Sequence, residues 1–217
     1  MQRFIIVIAC LFVAAGGSFA QKRKTPAKPS TPKPAPVTTV SELPEGEWSG
    51  IIKALEAEEW DKSSMLSGNA LKKLRFENDK NQLARLRYIY LFSSAGRVAQ
   101  GKMTATELQN IAQTFVGQAF IMLDRNALTN CQNSLNYVCP VKANKSALRV
   151  SATNKAFTTI HSFENVKLLQ PFDFTQNNLK NVFVGGTLRQ VEVNQKPEKV
   201  WIMRLSFENG WVQMVEK

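Results

Sequence analysis

The sequence predicts an α+β chain: an N-terminal α-helical hairpin domain over residues 43–125, then a C-terminal antiparallel β domain, a small barrel or curled sheet, over residues 126–217. Three observations carry this reading. Between Leu43 and Asp124 the apolar residues recur at helical spacing. Within that stretch Thr104-Ala-Thr-Glu107 has the form of a capping box, which satisfies free backbone donors at a helix start. After Asn126 the period changes to alternation broken by turn residues, ending in Asn209-Gly210 between two alternating runs.

Four helices are expected. Trp48, Ile51, Ile52, Leu55 and Glu59 form one apolar stripe with a charged edge, and Trp60 turns the corner into the next element. Met65, Leu66, Ala70, Leu71 and Leu74 form a second, shorter stripe, broken near Ser67-Gly68. The third holds Leu83, Leu86, Ile89 and Tyr90, with Arg85, Arg87 and Arg97 around it. The fourth follows the capping box and runs through Leu108, Ile111, Ala112, Phe115, Ala119 and Met122. Together they are read as two antiparallel hairpins. The Trp48, Ile51, Ile52, Leu55 spacing resembles the first helix of a tetratricopeptide-type repeat. No second copy occurs at the period such an array requires, so membership of that family is not claimed.

In the second half, Ala147–Ser151 and Ala156–Leu169 read as strands, and Asp173–Lys180 as a short helical turn. Asn181–Val193 reads as a strand in which Gly185-Gly186 marks a bulge or sharp bend. Val200–Val215 reads as a hairpin whose Asn209-Gly210 supplies the positive φ of a type I′ turn. That register puts Trp201, Met203, Leu205, Phe207, Val212 and Met214 on one face, the expected core side. Val200, Ile202, Arg204, Ser206, Glu208, Trp211 and Gln213 occupy the other, with Ile202, Arg204 and Trp211 the expected contact surface. The outline resembles an oligonucleotide/oligosaccharide-binding barrel, which is an analogy of outline alone.

The first twenty residues have the layout of a cleavable signal peptide: Arg3, an apolar run from Phe4 to Ala15, and small residues at Ser18 and Ala20. Two alternatives anchor the chain to a membrane instead. Cys10 follows the Val7-Ile8-Ala9 pattern of a lipid-attachment site, and Phe4–Ala20 approaches the ~17 residues that span a bilayer. Lys22, Arg23 and Lys24 directly after the segment oppose its export. Residues 21–42 are then a basic, proline-rich linker without large apolar side chains, expected to be disordered. Its prolines favour an extended spacer of roughly 40 Å from Thr25 to Val37 at about 3.1 Å per residue. The chain's formal net charge is +11, and +4 of it lies in this linker, which suits it to an anionic polymer.

Beyond Cys10 the cysteines are Cys131 and Cys139, expected to form a disulfide in an oxidising compartment. Closing so short a loop stabilises by roughly 2.5 kcal/mol in the chain-entropy picture. Sites of chemistry are not spelled out. His161 is the only histidine, no Gly-x-Ser-x-Gly occurs, and Gly185-Gly186 lacks the further glycines of a nucleotide-binding loop. Glu58, Glu59 and Asp61 read as a charged helix edge, and Arg85, Arg87, Tyr88 and Tyr90 as amphipathic packing. No catalytic residue, cofactor, metal or specific nucleic-acid motif is therefore assigned. The expected role is an exported, non-enzymatic binding or scaffolding protein of the periplasm or cell envelope, whose partner is an envelope or extracellular protein or polymer. The alternatives are an envelope hydrolase acting on a cell-wall polymer, and a polyanion-binding protein.

Overall fold

The computed structural model describes residues 42–74, 80–131, 135–141, 144–196 and 201–215. The expected signal peptide, and all of the expected linker except Glu42, lie outside the described residues, as does Val200. Among the described residues four helices come first: α1 (Glu45–Glu56), α2 (Trp60–Lys73), α3 (Lys80–Ala99) and α4 (Ala105–Gln113). Seven strands follow: β1 (Ala119–Ile121), β2 (Arg125–Ala127), β3 (Tyr137–Val141), β4 (Asn144–Thr153), β5 (Ile160–Leu168), β6 (Asn181–Val193) and β7 (Trp201–Met214). The class is mixed α+β.

Helix charges follow the macrodipole, with Glu45 and Glu47 in the first turn of α1 and Lys72 and Lys73 in the last turn of α2. α2 does not break at Ser67-Gly68. Its small residues Ser63, Ser64, Ser67 and Ala70 form the buried face that meets α3. The serines pair across the interface, Ser63 Oγ to Ser93 Oγ at 2.8 Å and Ser64 Oγ to Ser94 Oγ at 3.3 Å. Hydroxyls thus enter a buried interface with partners, and their small size lets the two backbones approach. α3 is buried on nearly every side, from Leu83 and Leu86 to Ser94 and Gly96. It packs against α2 and α4 on the helical side and against β1, β5 and β7 on the sheet side. The capping box forms as expected: the Glu107 N–H donates to Thr104 Oγ1 at 3.1 Å and the Thr104 N–H to Glu107 Oε2 at 2.8 Å. α4 is shorter than its stripe suggested. Gly117, at φ 86°, turns the chain away, so Ala119 and Met122 belong to β1 and its exit.

The sheet is mixed rather than antiparallel. Its order is β1-β6-β2-β3-β4-β5-β7, with β6 also paired to β7. β2/β3 and β5/β7 are parallel; the other neighbours are antiparallel. β7 inserts between β5 and β6, so it runs with β5 and against β6. Alternation within a strand constrains its faces but not its neighbour's direction. β2 meets β3 and β6 through only two residue pairs each, so the strands form a strongly curled sheet and not a regular barrel.

The expected Asn209-Gly210 hairpin is one continuous strand. Gly185 pairs with Trp211 and Thr187 with Glu208, so Asn209 and Gly210 stand opposite the single residue Gly186 as a β-bulge. A type I′ turn needs positive φ at both central residues, and here only Asn209 has it, at 53°. Gly210 is required for space: a Cβ there would fall 2.3 Å from Val166 Cγ1. A two-residue turn and a one-residue bulge shift side-chain parity alike. Met203, Leu205 and Phe207 are accordingly buried on the core face, with Val212 and Met214 packed against it. One hydrophobic core runs from Leu43 and Ile51 through α3 to Leu205 and Phe207, joining helices and sheet.

Candidate functional site

Where α3 meets β5, a polar cluster is enclosed in that core. β4 and β5 lose register between Ala152 and Thr153, which leaves His161 as the extra residue of β5. His161 is buried between the rings of Trp60, at 4.8 Å, and Phe92, at 4.9 Å. Its Nδ1 has no hydrogen-bond partner, and burial pulls its pKa down from 6.5 to about 4, so the imidazole is neutral at physiological pH. Further along β5, Ser162, Glu164, Val166 and Leu168 alternate onto the buried face, and both polar members are wholly enclosed. Tyr88 of α3 donates to Glu164 Oε1 at 2.9 Å, and the Ser162 hydroxyl bonds the same oxygen. Burial raises the Glu164 pKa above the usual carboxylate range; the bonds from Ser162 and Tyr88 and the nearby charge of Arg125 offset this in part. Burial first, and then the Glu164 carboxyl, push the Tyr88 phenol up as well.

Next to this cluster lies a cleft of about 590 Å³, within the range of small-ligand sites. Trp60, at the start of α2, and Phe92 of α3 form its apolar floor, with Ile52, Leu55 and Leu123 beside them. Asp124 comes from the segment joining β1 to β2 and Arg125 and Asn126 from β2, while Glu56 at the end of α1, Glu58 between α1 and α2, and Lys155 beyond β4 supply further charges. Several of these groups are already engaged. Asn181 Nδ2 donates to Asp124 Oδ2 at 2.6 Å, Asn136 bridges to Thr153, and Glu58 Oε1 accepts from the Lys155 N–H at 2.5 Å. Arg125 differs. Its Nη1 donates to the Asp124 carbonyl at 3.0 Å, its Nε is buried without a partner, and it makes no ion pair among the described residues. An aromatic floor thus lies beside a guanidinium that makes no ion pair among the described residues. The neighbouring groups with perturbed pKa values, His161, Tyr88 and Glu164, are shut away from solvent.

The residues singled out from the sequence are dispersed. Ile202 is buried, in a groove with Trp201, Val98 and Met103. Arg204 is exposed, its guanidinium carbon 4.2 Å from the Trp201 ring centre and its Nη1 3.5 Å from Glu192. Trp211 is half-buried, its indole lying over Gly185, where a Cβ would come within 2.2 Å of the ring. Arg204 and Trp211 are seven residues apart along β7, roughly 20 Å at the strand rise. Cys131 and Cys139 are bonded to one another, with Cα atoms 5.8 Å apart. The acidic residues near Trp60 diverge: Asp61 pairs with Arg97 and Lys102, Glu59 with Lys62, and Glu58 with the Lys155 backbone. Tyr88 and Arg87 turn inward, Arg87 donating to the Ala119 carbonyl at 2.9 Å, and Arg85 stacks on Phe183.

Sequence reasoning missed Glu164 and Arg125. The signal for Glu164 was present as an acid at the same parity as Val166 and Leu168 in an alternating strand. Arg125 carried none, because the cleft it lines is assembled from segments far apart in the chain. No cluster of His, Cys, Asp and Glu suited to a metal occurs among the described residues, and no described helix is long and apolar enough to cross a membrane. Compared with protein-family models, curated proteins and solved structures, the chain matches none.

Proposed function

We propose that this chain is an exported, non-enzymatic binding protein of the periplasm or cell envelope, and that the cleft floored by Trp60 and Phe92 receives its ligand. The observation that carries the reading is the cleft: apolar at its base, polar at its rim, and lined by an arginine that makes no ion pair among the described residues. A ligand there would exchange water for an aromatic surface while its polar groups met the rim. The enclosure of His161, Tyr88 and Glu164 favours binding over catalysis, since a general acid or base must reach the group it serves. Export is supported by the signal-peptide layout of residues 1–20 and by the Cys131–Cys139 bond.

Fractionation of the native cells, with N-terminal sequencing and intact mass of the recovered protein, tests the location. The expected form begins at Gln21 and has no free thiol. A cytoplasmic form that retains Met1 would sink the exported reading. Incubating the purified protein with cell-wall polymer tests the activity, and release of soluble fragments would replace binding with hydrolysis.

A further inference from the structure

The cleft lining narrows the class of ligand. The charge of Arg125 acts on the buried Glu164 and Tyr88, lowering both pKa values, yet among the described residues Arg125 makes no ion pair with a carboxylate. Asp124 is the nearest acid in sequence, but its Oδ2 is engaged by Asn181 and it makes no ion pair with Arg125. A half-buried guanidinium with an unpartnered Nε therefore lines a cleft beside two aromatic rings. Guanidinium groups present a planar fork that matches a carboxylate.

We propose that the cleft binds a small carboxylate with an aromatic or branched apolar body, its carboxylate on Arg125 and its body against Trp60 and Phe92. Glu56 and Glu58 also line the cleft and repel a multiply charged anion, so a single carboxylate fits better than a phosphate ester. The inference rests on the cleft being the ligand site, as proposed above.

Isothermal titration calorimetry on the full chain with its disulfide intact tests it, using phenylacetate and its neutral isostere phenylacetamide. Phenylacetate should bind about tenfold or more tightly than the amide, the scale of one charge-assisted hydrogen bond. Arg125→Gln should bring the acid and the amide to equal affinity, and Arg125→Lys, which keeps the charge but loses the fork, should retain part of the preference. Melting curves of both variants report whether they fold, and the comparison of acid with amide on the unaltered chain does not depend on them. Equal affinity for acid and amide would overturn the carboxylate assignment and leave the cleft as a ligand site. Binding of neither probe at millimolar concentration would overturn both.

Discussion

Replacing Gly96 of α3 with alanine sets two effects of opposite sign against each other. In an unobstructed helix interior the change stabilises by up to about 1 kcal/mol, because glycine loses more backbone freedom on folding. At Gly96 the new Cβ would lie 2.3 Å from Trp60 Cδ2 and 2.6 Å from Trp60 Cγ, more than 1 Å inside the roughly 3.5 Å at which carbon atoms attract. The indole cannot yield cheaply. It meets Phe92 edge-on at 5.7 Å and His161 at 4.8 Å, and it is buried. Overpacking of this kind costs about 1–3 kcal/mol, so the net expectation is a loss of about 1–2 kcal/mol and a melting temperature lower by several degrees. Gly50→Ala in α1 is the control, since nothing lies within 4 Å of its added Cβ, and it should stabilise. Thermal and urea unfolding of Gly96→Ala, Gly50→Ala, and Gly96→Ala in a Trp60→Leu background measure all three. If Gly96→Ala melts at or above the unaltered chain, or costs as much with the indole removed, the ring does not hold α3 in the manner described and the floor of the cleft is not rigid.

Three further outcomes follow from the buried groups and the crosslink. His161 is neutral when folded, with a pKa of about 4 against 6.5 when unfolded, so the unfolded chain binds the extra proton as pH falls. Its contribution is complete above pH 6.5 and is lost toward pH 4, up to about 3 kcal/mol, and urea midpoints across that window should flatten in His161→Gln; an unchanged slope would place the acid sensitivity elsewhere. Glu164 has the opposite sign. Its raised native pKa means that the unfolded chain sheds a proton first, so stability falls as pH rises above the carboxylate range, and Glu164→Gln should abolish that decline while Glu164→Ala, which strips Tyr88 and Ser162 of a partner, should destabilise at every pH. Chemical denaturation at pH 5 and pH 8 separates the two variants. Breaking the Cys131–Cys139 link with paired serines should lower stability by about 2.5 kcal/mol, and an unaltered urea midpoint would show that the loop it closes is not ordered by the bond.

Features that depend on near neighbours in the chain were readable as letters. The helical stripes, the Thr104 capping box, the bounds of β6 at Asn181 and Val193, and the inward face of Met203, Leu205 and Phe207 all rest on periods of two to four residues. The pairing of Cys131 with Cys139 rested on inventory. Folding decided what distant segments do to one another. Asn209-Gly210 is compatible with a turn and with a bulge, and it became a bulge because β5 and β6 both run alongside β7 and hold it straight. β7 entered between β5 and β6, which made two neighbours parallel, and no alternation pattern encodes strand order. Glu164 was enclosed because Tyr88, 76 residues away in the chain, closed over it. The cleft draws on α1, α2, α3, the β1–β2 connection, β2, β4 and β6, so its charge and shape exist only once the shared core has brought those pieces together: burial and electrostatics act through space, whereas the patterns legible in a sequence act along the chain.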